Sequence, residues 1–154
     1  MYAFLLTLHS LLRWLVVLSL SYAVFIGFRG WYTGRVFTRR DNFVRHTTAT
    51  LAHTQLTVGY LLYFNSPVIA YFRSQFSEAR KQPDLLFFGL IHIALMTLAV
   101  VLITIGSSAA KRQVTDTARF RTLAIWMGLG FLVLFAAIPW PFSPLAQRPL
   151  LRSF

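Results

Sequence analysis

Apolar positions along this chain gather into four long runs separated by short charged stretches. The runs cover roughly Phe4–Phe28, Thr47–Phe64, Leu85–Gly106 and Phe120–Ile138. A helix crossing the hydrocarbon layer needs about 20 apolar residues, with a range of about 17–25, and each run has that length. Open strands would leave backbone groups unpaired in lipid, so helices are the only spanning structure consistent with these runs. The pattern therefore predicts an all-α fold, an integral membrane four-helix bundle forming a single transmembrane domain over residues 1–154. Asn65-Ser66-Pro67 should break the second helix and Pro139-Trp140-Pro141 should end the fourth. Between them, Val68–Phe72 reads as a short aromatic segment lying along the outer interface. Trp31, Tyr32, Phe64, Tyr71, Trp140 and Phe142 fall near the expected helix ends, as an aromatic belt requires. The N-terminal run carries His9 and Arg13 and lacks a basic leader, so it reads as a retained helix rather than a signal peptide.

Composition agrees with lipid burial. Of 154 residues, 56% are hydrophobic and only 12% charged, about half the charged share of a soluble domain. The mean hydropathy is +0.60. The net charge is +11, from 15 Lys and Arg against 4 Asp and Glu. These cations sit in connectors, not on a nucleic-acid-binding face, so lipid headgroups are the expected partner and nucleic acid is not. Arg29, Arg35, Arg39, Arg40 and Arg45 fall between the first two runs, and Lys111, Arg112, Arg119 and Arg121 between the last two. In the middle connector Arg73, Arg80 and Lys81 are offset by Glu78 and Asp84, and the tail carries Arg148 and Arg152. The positive-inside rule puts the first and third connectors in the cytoplasm and both termini outside. With no Cys in the chain, disulfides, thiolate metal sites and covalent haem attachment are excluded.

Ionisable groups inside a bilayer are expensive and mark function by default. The spans hold four: His9, Arg13, His53 and His92. No Asp or Glu falls within a span, which argues against a carboxylate-bridged metal pair or a carboxylate proton path. Imidazole is a natural ligand for haem iron, and two imidazoles sharing one iron must lie at similar depth. At 1.5 Å per residue, His9 lies roughly 8 Å deep, His92 roughly 10 Å and His53 roughly 16 Å. His9 and His92 match best, on helices expected to face each other across the bundle, with His53 as the alternative ligand. His46 lies at the inner edge, where it has no partner at its depth, so one haem b per chain is the upper expectation. Arg13, one turn from His9, needs an anion such as a haem propionate. Gly59, Gly89, Ala94 and Ala99 leave room for a flat ring or, equally, for ordinary helix packing. Met96 reads as a soft ligand or as filler.

The stretches His9-Ser10-Leu11-Leu12-Arg13-Trp14, Ala52-His53-Thr54-Gln55-Leu56 with Gly59–Phe64, His92 with Val101–Gly106 before Lys111-Arg112, and Ile138-Pro139-Trp140-Pro141-Phe142 resemble a family of small four-helix bacterial membrane proteins labelled cytochrome b. The resemblance covers nearly the whole chain. It implies a bacterial inner membrane, haem and electron transfer, with His9, Arg13, His53 and His92 as the marked positions. Respiratory-complex subunits or a homo-oligomer are the partners that fit such a role. Quinone binding through His53, Gln55 and Tyr60 is compatible with it. Two other readings remain open: a three-histidine copper or zinc site, since both metals accept imidazole, and a cofactor-free structural or assembly subunit.

Overall fold

The computed structural model describes residues 1–144 and 146–148; Arg152 lies outside them. It is all-helical, at 84% helix, with no strand among the described residues. Six helices take the place of the four expected. Four are long: α1 (Tyr2–Thr33), α2 (Arg39–Asn65), α5 (Pro83–Arg112) and α6 (Asp116–Ala137). Two are short: α3 (Pro67–Ser74) and α4 (Phe76–Ala79). Three of the long ones, α1, α5 and α6, are long and apolar enough to cross a membrane. The fourth expected span, α2, is long enough at 27 residues. Its apolar character is diluted by Asn42, Arg45, His46, His53, Gln55 and five threonines.

Every long helix extends past the apolar run that predicted it, because charged residues taken for connectors continue the helical hydrogen-bond ladder. The two basic connectors shrink to residues 34–38 and 113–115. Gly34 stops α1 in the left-handed region, at φ 63°, and donates to the Gly30 carbonyl; glycine adopts that conformation without steric cost. Ser66 adopts the extended form favoured before proline, so α2 breaks as expected. Pro67 then restarts the chain at a first helical turn, where its missing N–H costs nothing. The aromatic segment 68–72 is thus a helix, and it buries Ile69 and Phe72 against the bundle.

α1 packs on α2 and α6, and α5 packs on the same two helices, so α1 and α5 stand on the diagonal. Leu20, Ile103, Leu123 and Met127 fill the centre. The opposite side of α1 presents Leu11, Leu15, Leu18, Tyr22 and Phe25 outward. This apolar stripe suits lipid contact.

α2 begins with a capping box. The Thr38 hydroxyl and backbone N–H both donate to Asp41 Oδ2, at 2.7 and 2.9 Å, and Arg35 clamps both carboxylate oxygens at 2.8 and 2.6 Å. Burial alone would raise the Asp41 carboxyl. The bonds from Arg35 and Thr38 outweigh it and bring the carboxyl from its ordinary 3.8 to about 2. A depressed carboxyl contributes stability in full above its unfolded value, and loses it as pH falls through the folded one. Thermal melts of the detergent-solubilised protein should therefore show a stabilising contribution that disappears between about pH 4 and pH 2. Asp41→Asn should remove that pH dependence and cost about 1–3 kcal/mol at neutral pH. An unchanged acid limb in the variant would contradict this assignment.

Candidate functional site

One cavity lies at the end of the bundle away from the two basic connectors. It has a volume of about 270 Å³ and opens among α1, α2, α3, α5 and the end of α6. His9 and His92 line it from the diagonal helices, together with Arg13, Gln55, Gly59, Met96 and Arg148. The remaining lining is mostly aliphatic and aromatic, and no Asp or Glu lines it among the described residues.

His9 rests against the backbone of α2. A Cβ at Gly59 would come within 3.2 Å of the imidazole Cε1 and 3.6 Å of Nδ1. Glycine is what lets the ring approach so closely. Gln55 fastens the same turn of α1 by donating its amide to the His9 carbonyl at 2.9 Å. Two buried polar atoms there, His9 Nδ1 and Gln55 Oε1, have no hydrogen-bond partner among the described residues. A buried polar atom without a partner is costly, and native structures rarely leave one without a reason.

His92 is held differently. Its Nδ1 lies 2.9 Å from the Ala137 carbonyl, and a carbonyl only accepts, so Nδ1 carries the proton and Nε2 keeps the lone pair. That carbonyl is free because Pro141, four residues on, has no N–H to complete the helix. Pro139 strands the Phe135 carbonyl in the same way, and the Trp140 indole N–H takes it at 2.8 Å. The Pro-Trp-Pro end of α6 thus makes the acceptor that fixes the His92 tautomer. Just before His92, residues Phe87–Ile91 form a π turn, with the His92 N–H reaching back to Phe87. Such turns are frequent at functional sites. Phe87 and Phe88 flank the His92 ring, and the Arg148 guanidinium sits 4.7 Å above Phe88.

His53 does not join the other two. It is exposed on α2 outside the cavity lining; its Nδ1–H donates to Ala49 at 2.8 Å, and its Nε2 contacts the Thr104 hydroxyl at 3.1 Å. Among the described residues, no three His, Cys, Asp or Glu are grouped so as to hold a metal ion. Tyr60 also stands apart, bonded to Thr97 at 2.9 Å, so only Gln55 of the quinone trio reaches the cavity. Gly89 makes room for Phe72 and not for a ligand: an added Cβ would lie 2.5 Å from that ring.

No family model, curated protein or solved structure matches the chain.

Two residues escaped the sequence reading. Arg148 read as a tail charge, yet it lines the cavity and lies 3.6 Å from Asp84. Arg45 read as a connector charge, yet it is buried: Nη1 bonds the Ser107 carbonyl and hydroxyl at 2.9 and 2.5 Å, while Nε and Nη2 bond Asn42. The doubled proline after α6 was the available signal for the His92 acceptor.

Proposed function

We propose that the chain is a membrane-embedded, b-type cytochrome-like haem protein that carries electrons, with His9 and His92 as the iron ligands. The observation that carries this reading is the convergence of two imidazoles from diagonal helices on one largely apolar cavity. The donor set fits a ferric or ferrous porphyrin. His92 presents a basic Nε2 with its Nδ1–H tied to a carbonyl, the arrangement that orients an imidazole ligand and strengthens it. Gly59 cradles the second ring. Arg13 and Arg148 supply positive charge at the cavity, suited to two carboxylates in low dielectric.

A haem held there supplies a one-electron ferric/ferrous couple. The apolar side chains around His9 and His92 would limit the water reaching a haem held there, and exclusion of water is one lever on such a couple's potential. The depth match of His9 and His92 also supports one haem per chain. By the positive-inside rule the basic end lies in the cytoplasm of a bacterial inner membrane, and the cavity end faces the periplasm.

Haemin titration of the purified protein tests the residue assignment. The parent should develop a Soret band and, on reduction, sharp low-spin bands. His92→Ala and His9→Ala should each weaken uptake by more than about tenfold, and His53→Ala should leave it unchanged. One copper or zinc per chain with no iron would replace this reading with a metal site. Indifference of the parent to haemin would favour a cofactor-free subunit.

A further inference from the structure

At the opposite end of the bundle a second cavity, of about 310 Å³, opens between the two basic connectors. Its cations are Arg39, Lys111 and Arg119, and Asn42 and Thr38 add polar atoms. Segments 29–45 and 111–121 together carry nine Arg or Lys against Asp41 and Asp116 alone. Both carboxylates are already engaged, Asp41 by Arg35 at 2.6 Å and Asp116 by Arg119 at 3.4 Å. Behind the cleft lies Arg45, a buried guanidinium whose hydrogen bonds go to Asn42 and Ser107 and, among the described residues, to no carboxylate. It therefore adds positive potential through the same Asn42 that lines the cleft. Low dielectric and an excess of one sign of charge concentrate field in such a concavity.

Apolar side chains also stand exposed on the segments that carry these cations. Val36 and Val114, in the two short connectors, are 69% and 91% exposed, and Phe43 on the first turns of α2 is 68% exposed. Exposed apolar residues beside a basic cleft, at the ends of membrane-spanning helices, suit acyl chains together with a phosphate. Basic pockets at that position recognise anionic headgroups.

We propose that this cleft binds the phosphate of an anionic phospholipid, one headgroup per chain. Arg39 and Lys111 meet the phosphate, Arg119 completes the ring of cations, and Val36 and Val114 border the acyl chains. Arg119 is also tied to the Gln113 carbonyl at 3.0 Å, so it is left intact in the test.

The protein in neutral detergent is titrated with short-chain phosphatidylglycerol, with the matching phosphatidylcholine, and with inorganic phosphate, reading the melting temperature. Phosphatidylglycerol should give a saturable rise of about 5–10 °C at a hundredfold excess over its Kd, and phosphatidylcholine little or none. The double variant Arg39→Gln/Lys111→Gln should bind at least about tenfold more weakly, because it loses two charge-assisted contacts. Arg73→Gln/Arg80→Gln, at the other end, should bind as the parent does. Equal affinity of parent and cleft variant, or an equal rise with phosphatidylcholine, overturns the proposal. An equal saturating rise with inorganic phosphate alone assigns the cleft to the free anion and overturns the lipid.

Discussion

Gly59→Leu is expected to abolish haem uptake while leaving the bundle folded. Gly59 lines the cavity and lies under the His9 imidazole, so the new side chain enters the space that ring and guest share. An alanine there would press on Cε1 at 3.2 Å, and the ring would need to give by only a few tenths of an ångström. Leucine adds three more carbons that have nowhere to go but the cavity. The fold should tolerate the change, because a glycine in a helix interior is itself unfavourable by about 0.5–1 kcal/mol relative to alanine. Haemin affinity should fall by more than about tenfold, as for loss of a correctly oriented ligand. Helix content and melting temperature should stay near those of the parent. Gly59→Ala should give an intermediate affinity. Full uptake by the leucine variant would show that His9 is not held where a ligand must be.

Arg45→Ala is expected to give the largest loss of stability of any single cation. The side chain bridges α2 to α5 through Ser107 while gripping Asn42 on its own helix. Truncation strands the buried Ser107 hydroxyl away from water, while the exposed Asn42 can turn to solvent, and a stranded buried polar group costs about 1–3 kcal/mol. For a chain of this length each kcal/mol lowers the melting temperature by about 2–4 °C. Arg45→Lys should lose less, since the ammonium reaches one partner but cannot span both as the planar guanidinium does. Melts in detergent at neutral pH check the order. Equal melting of parent and Ala variant would show that the network contributes nothing net, as exposed polar pairs often do.

The bundle was legible in the sequence because a run of apolar residues is a one-dimensional signal for a helix in lipid. The limits of that signal are equally physical. Hydropathy placed the ends of α1 and α5 too early and the start of α2 too late, since Arg29, Arg112 and Arg39 belong to helices whose ends protrude from the apolar layer. It read α2 as a fourth equal span although polar residues dilute that helix. Asn65-Ser66-Pro67 was rightly a break, but Pro67 both ends one helix and opens the next, and only the first role was read.

The same contrast holds at the cavity. Counting residues gives depth, and depth paired His9 with His92. It gives no angle around the bundle, which is why His53 remained a candidate until the structure turned it toward Thr104. Nothing local marks the π turn before His92, because five ordinary apolar residues form it. Arg45 looked like its neighbours Arg39 and Arg40; its burial depends on Ser107, 62 positions away. The Ala137 acceptor, by contrast, was readable from Pro139 and Pro141 through the donors that prolines lack.

The most direct measurement is the reduced-minus-oxidised absorption spectrum of the protein purified from membranes, with iron counted per chain. One iron, a Soret band and narrow α and β bands on reduction are predicted. A well-folded, colourless protein that contains no iron and takes up no added haemin would contradict haem ligation by His9 and His92.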